Sequence, residues 1–138
     1  MRLPEPGSLV GSASAWLKTA YPSGDDIGEN KANCNGCGSR ASEGETATVG
    51  KFPPNQFGLH DMVGNVMEWT EDCLHYDYNG APTDGTAWIK GACDQRIVRG
   101  RSWSGAPDGL RSAYRSSLSA DVRYDRLGFR VAWTLDTP

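Results

Sequence analysis

A loop-rich, strand-containing domain is the fold class the sequence predicts, and three observations carry it. Seventeen glycines and eight prolines make up 25 of the 138 residues, about 18%, against a usual combined share of about 12%. Residues 21–50 are dense in Gly, Asn, Asp and Ser with almost no apolar periodicity, which is the pattern of loop rather than of helix or strand. The clearest strand patterns come late, at residues 96–103 (RIVRGRSW) and 128–134 (GFRVAWT). The length suits one domain, which at this size buries about two thirds of its unfolded surface, and the five tryptophans are expected to supply much of the core.

Each element follows in chain order. Over residues 8–20 the apolar Leu9, Ala13, Trp16, Leu17 and Ala20 fall at helical spacing, weakened by Gly11 and the serines, so a short helix is expected there. Residues 21–50 read as one long loop, and ordered loops of that length usually need a ligand, an ion or a function to hold them. At 128–134, Phe129, Val131 and Trp133 alternate with small or polar neighbours, and this strand and the one at 96–103 are predicted to be neighbours in one sheet. Cys34 and Cys37 stand in a C-x-x-C spacing, with Cys73 and Cys93 alone and far apart. A four-thiolate zinc site usually shows two close pairs. A Cys73–Cys93 disulfide clamping a loop and four small buried thiols remain as the alternatives, and the compartment that would choose between them is not written in the residues.

Charge and motif exclude several function classes. The chain carries a net charge of −3 and a pI near 5.3, without the basic footprint of nucleic-acid binding. Charged residues, glycines or prolines interrupt every apolar run well before the roughly 18 residues of a membrane span, and the start MRLPEPGSLVGS lacks the pattern of a secretory signal. No nucleophile elbow, P-loop or paired-carboxylate spacing stands out. Eight of the 14 basic residues are arginines between positions 96 and 130, set against only Asp108, Asp121 and Asp125. They are readable as an anion-binding face, since arginine forks suit sulfate, carboxylate and phosphate, or as braces that pair with the acidic remainder of the chain.

Four ordered blocks are specific enough to carry a resemblance: NQFGLHDMVGNVMEW at 55–69, RIVRGRSW at 96–103, LRSAYRS at 110–116 and LGFRVA at 127–132, with YPSGDD at 21–26 and RLP at 2–4 in keeping. Together they resemble the C-terminal half of the formylglycine-generating-enzyme/sulfatase-modifying-factor domain. The resemblance implies an α+β, C-type-lectin-like fold with little regular secondary structure, one domain over 1–138 that is N-terminally shortened relative to the family, and an atypical first twenty residues, where Pro6 and Gly7 occupy the first turn of a helix usual in the family.

The resemblance also bears on chemistry. Formylglycine-forming members bind copper through two cysteines between the GGSW-like strand and the R-x-x-x-R segment; residues 104–117 (SGAPDGLRSAYRSS) hold no cysteine, so no copper site is expected. The iron-dependent relatives take their histidines from a separate helical domain, and His60 and His75 read instead as an aromatic substitute in the LHDM block and a solvated loop residue. A structural calcium ion of the family carries over to the side chains of Asp61 and Glu68 and the carbonyls of Gly64 and Val66, hard oxygen donors of the kind Ca²⁺ prefers; the alternative is that Asp61 and Glu68 cap and brace the turn. A second family site falls near Asn33 and Cys34, with Glu43 and Glu45 as the only acids to complete it.

The same scaffold serves as a display platform in the variable proteins of diversity-generating retroelements, which share this RGxSW, LRxAxR and GFR frame. The positions between frame residues are rich in Ser, Tyr, Gly and Asp, and no Asn follows residue 79. Tyr gives contact area at low entropy cost while Ser and Gly adapt, and all four types are reachable from an asparagine codon by changing adenines. The expectation is a non-catalytic, calcium-stabilised binding domain that presents residues 101–127 to a protein or small-molecule ligand through Arg101, Trp103, Ser104, Asp108, Ser112, Tyr114, Ser116, Asp121, Tyr124 and Asp125. The alternative is an oxidoreductase of the sulfatase-modifying class, or a fragment of one.

Overall fold

A computed structural model describes residues 19–39 and 44–131. The helix expected at 8–20 falls almost wholly outside these residues, as do Glu43 and the end of the 128–134 strand. Most of the described chain is turn and loop around one four-stranded sheet: β1 (Met67–Cys73), β2 (Gln95–Arg99), β3 (Ser116–Ser119) and β4 (Leu127–Gly128), in the order β3-β2-β1-β4. Among the described residues the helical content is one 3₁₀ turn, Pro107–Leu110. This is the loop-rich architecture expected.

β2 is central because its apolar pair, Ile97 and Val98, is buried to 2% and 1% exposure and both its edges are bonded. It runs antiparallel to β1 (Glu68 opposite Arg99, Trp69 opposite Val98) and to β3 (Ile97 opposite Ser117, Val98 opposite Ser116). β4 adds in parallel to the far side of β1, with Met67 opposite Leu127. The two strands predicted from alternation therefore share a sheet without touching, because β1 lies between them. The 96–103 pattern also ends early: Gly100 and Arg101 adopt φ of 83° and 56°, turning the chain out of the sheet.

β1 and β3 carry no apolar alternation because polar groups take their inward positions. In β1 the buried Thr70 donates to the Ile97 carbonyl at 3.2 Å, and Glu68 is 8% exposed. In β3, which has no fully buried residue, Ser117 Oγ donates across the ladder to Gln95 Oε1 at 2.9 Å and Ser119 Oγ donates to Asp121 Oδ1 at 2.7 Å. At β4 the alternation points the other way from the prediction: Phe129 and Val131 are 75% and 77% exposed, while Arg130 between them turns in to Glu68. An arginine with a carboxylate partner outcompetes two apolar side chains for the inward side.

The core is also built differently. Ile27, Ala32, Cys34, Cys37 and Leu110 form its main cluster, flanked by Tyr21 and Val63. The long loop thus supplies the core, closed by a Cys34–Cys37 disulfide. The expected tryptophan core does not form among the described residues: Trp69, Trp88 and Trp103 are only half-buried. Cys73 and Cys93 form the second disulfide, across the base of the β1–β2 connection. In that connection His75 stacks on Trp88 with ring centroids 3.5 Å apart and sets its two ring nitrogens against the Cys73 and Lys90 carbonyls, so it organises the loop rather than facing solvent.

Candidate functional site

The Gly64-Asn65 turn ties the loops to the sheet. Both residues adopt positive φ, 76° and 64°, and any Cβ on Gly64 would collide with the Asn33 carbonyl oxygen. Asn65 is 6% exposed and has every polar group engaged. Its N–H donates to Asn33 O at 2.8 Å and its carbonyl accepts from Trp103 N at 2.9 Å. Its amide accepts from Ala47 N at 2.8 Å and from Asn33 Nδ2 at 3.2 Å, and donates to Ala47 O at 3.2 Å. A buried, fully satisfied network of this kind fixes a unique arrangement. Its sequence signal was the Gly-Asn pair itself, since these two types tolerate the left-handed region best.

Of the expected calcium donors, the Glu68 carboxylate is held by Arg130: Nε donates to Oε2 at 2.6 Å and Nη2 donates to Oε1. The same guanidinium donates to the carbonyls of His60 and Asp61, each at 3.1 Å. The Asp61 carboxylate accepts from Gly50 N at 2.7 Å. Gly64 and Val66 share the turn, so the four residues are neighbours, but both oxygens of the one buried acid face an arginine. In this arrangement the Glu68 carboxylate is engaged by a guanidinium, a planar multi-donor cation. At the second expected site Asn33 Nδ2 donates to the Glu45 carbonyl at 3.0 Å.

Residues 101–126 form a second region with a different economy of contacts. Ser102, Gly105, Gly109 and Leu110 are buried, whereas Ser104, Asp108, Arg111, Asp121, Arg123, Tyr124 and Asp125 are exposed; Gly105 and Gly109 thus belong to the frame and not to the displayed positions. Arg101, at φ 56° where a β-carbon is unfavourable, lies with its guanidinium carbon 4.6 Å from the Tyr114 ring centroid. Its other side faces Gly109, at which an added Cβ would come within 2.9 Å of Arg101 Nε. Ser104 Oγ meets Ser102 Oγ at 3.1 Å and accepts from Arg126 Nη1 at 3.3 Å. Trp103 is half-buried and tied to the Asn65 carbonyl, and Ser116 is a half-buried member of β3. Asp121, Tyr124 and Asp125 sit on the separate β3–β4 connection, beside an open groove of about 490 Å³ lined by Trp69, Val122, Tyr124, Leu127 and Phe129.

The arginines brace the fold mainly through carbonyls. Arg99 donates to Tyr114 O at 2.9 Å and Ser112 O at 2.7 Å; its burial, and secondarily the Arg115 charge, lower its guanidinium from the usual arginine value. Arg96 donates to the Glu71 carbonyl at 2.7 Å, and Arg115 lies over the Tyr78 ring. Among the described residues Arg130–Glu68 is the one ion pair. Among the described residues three buried side-chain polar atoms lack any hydrogen-bond partner: Asn55 Nδ2, before β1, and Arg101 Nε and Ser112 Oγ in the 101–126 region.

Comparison with known proteins adds to this geometry. A family described as the sulfatase-modifying factor enzyme 1-like domain matches residues 2–135. The chain is 33% identical over 114 residues to a protein named serine/threonine-protein kinase pkn1 of Chlamydia pneumoniae, covering 81% of this chain and 17% of that protein. It is 34% identical over 134 residues to the inactive C-alpha-formylglycine-generating enzyme 2 of Bos taurus, covering 91% of this chain and 39% of that one. In structure it resembles Treponema denticola variable protein 1 with a TM-score of 0.64 and 30% identity, covering 93% of this chain and 45% of that chain. The chain therefore spans well under half the length of each.

Proposed function

The chain belongs to the sulfatase-modifying factor enzyme 1-like domain family, and from that premise we propose that it is a non-catalytic binding domain whose residues 101–127 recognise a protein or small-molecule ligand, in the manner of a variable protein diversified by a retroelement. One observation carries the reading: within this segment Ser102, Gly105, Gly109 and Leu110 are buried, while Asp108, Asp121, Arg123, Tyr124 and Asp125 stand exposed. Two further points support it. No cysteine lies between residues 104 and 117, and all four cysteines are in disulfides elsewhere, so the soft thiolate pair that copper chemistry needs has no counterpart there. The relatives include an enzyme homologue named inactive and a variable protein of similar fold.

The test is combined substitution. Randomising Asp108, Asp121, Arg123, Tyr124 and Asp125 together should leave most library members with a cooperative thermal transition within about 5 °C of the parent, since exposed changes cost little individually, and selection on immobilised protein baits should yield binders. A library that loses the fold, or folds and yields none, overturns the reading. For the retroelement part, the locus decides: a nearby template copy differing only at adenines supports it, and its absence removes it.

A further inference from the structure

The Arg101 side chain is held by stacking on Tyr114, with no hydrogen bond to its Nε. Its backbone sits at φ 56°, a conformation glycine adopts freely and arginine does not. Its Nε is buried without a hydrogen-bond partner. Gly109 and the Tyr114 ring flank the guanidinium on two sides, 2.9 Å from a Gly109 Cβ position and 4.6 Å from the ring centroid. Strain and an unsatisfied buried donor persist where function retains them. The local charge agrees, since residues 96–130 carry eight arginines against three aspartates and only Arg130 meets a carboxylate among the described residues.

We infer that Arg101, slotted between Gly109 and Tyr114, is a preorganised receptor for an oxyanion, a carboxylate, sulfate or phosphate group of the ligand that the 101–127 face takes up; this rests on the recognition reading above. Nε is buried, so the two terminal Nη groups of the fork are the donors offered to the anion's oxygens. Stacking on Tyr114 fixes its plane in advance, so little rotamer freedom is lost on binding. No covalent step is involved.

The experiment is an NMR titration of the full chain, following arginine Nε–Hε resonances and the Tyr114 ring signals. Sodium acetate, sulfate and phosphate are compared with sodium chloride at matched ionic strength. Arg101→Lys assigns the Arg101 resonance by its loss. The expected result is a saturable shift of the Arg101 and Tyr114 signals with an oxyanion and not with chloride, absent in Arg101→Gly and at least 10-fold weaker, by the Tyr114 signals, in Arg101→Lys. Acetate saturating first identifies a carboxylate; sulfate or phosphate saturating first identifies a tetrahedral anion. A shift that chloride reproduces, that never saturates, or that survives in Arg101→Gly overturns the inference. A thermal transition no lower than the parent's shows that Arg101→Gly is folded. Should the titration fail while the substituted library still yields binders, the recognition face stands without its anion receptor; failure of both removes the face as well.

Discussion

Arg130 and Arg101 are the same side chain in two opposite situations. Arg130 meets Glu68 with two nitrogens and adds the His60 and Asp61 carbonyls, so its donors join the chain after β4 to β1 and to the loop before it. Arg101 meets a ring face and a glycine, strains its own backbone and leaves Nε buried without a partner. The contrast extends to the surroundings: Asn65 has every polar group bonded, while Ser112 Oγ is buried and idle. The first region is scaffold, in which Asn65 and Arg130 are satisfied inside the chain, although Asn55 Nδ2 is buried there without a partner. The second leaves Arg101 Nε and Ser112 Oγ without a partner inside the chain.

Identical substitutions in the two regions should separate them most sharply. Gly64→Ala places a methyl into the Asn33 carbonyl at a positive φ, and should cost about 3–4 kcal/mol, lowering Tm by roughly 10–15 °C. Gly109→Ala meets the flexible end of Arg101, which can swing away, and should cost about 1 kcal/mol or less while displacing the guanidinium. Equal losses in thermal unfolding would erase the distinction.

The disulfides offer the next contrast. Replacing Cys73 and Cys93 by Ser frees a 20-residue separation and should cost about 3 kcal/mol, against about 2 kcal/mol for the short Cys34–Cys37 loop, because loop-closure entropy grows with length. Denaturant unfolding of the two double variants checks the order. Glu68→Gln leaves Arg130 without its carboxylate and should cost about 2 kcal/mol, less than for a fully buried pair because the arginine side chain is a quarter exposed. Arg101→Gly should do the reverse, raising stability by about 1 kcal/mol as the strained φ is relieved. The smallest effect concerns calcium: with Arg130 on both oxygens of Glu68, Tm should be the same in EDTA and in millimolar Ca²⁺. An upward shift abolished by Glu68→Gln would place the ion on Glu68 instead.

How much of this was legible in sequence follows from what each region spends its residues on. The 96–103 strand showed because Ile97 and Val98 are buried apolar residues flanked by polar ones. β1 did not, because Glu68 and Thr70 take inward positions and are satisfied by partners far along the chain, at Arg130 and Ile97; pattern reading scores such positions as outward. The same long-range pairing turned Phe129 and Val131 outward, against their alternation. Residues 21–39 and 44–50 are loop as read, yet their part in the core rests on a disulfide and on Asn33–Asn65 bonds spanning 32 positions, which spacing alone does not encode. The arginine excess was visible at once. Which arginine braces and which is left over depends on the turn at Gly100 and Arg101, and only the folded chain distinguishes them.

Thermal unfolding of Arg101→Ala beside Arg130→Ala in the full chain tests the division between scaffold and face most directly. The contrast predicts that Arg130→Ala lowers Tm by about 8 °C or more, since it strands a buried carboxylate, while Arg101→Ala moves it by no more than about 2 °C. A drop for Arg101→Ala as large as that for Arg130→Ala would make Arg101 one more brace, and the 101–127 segment would then be structural loop rather than a surface reserved for a ligand.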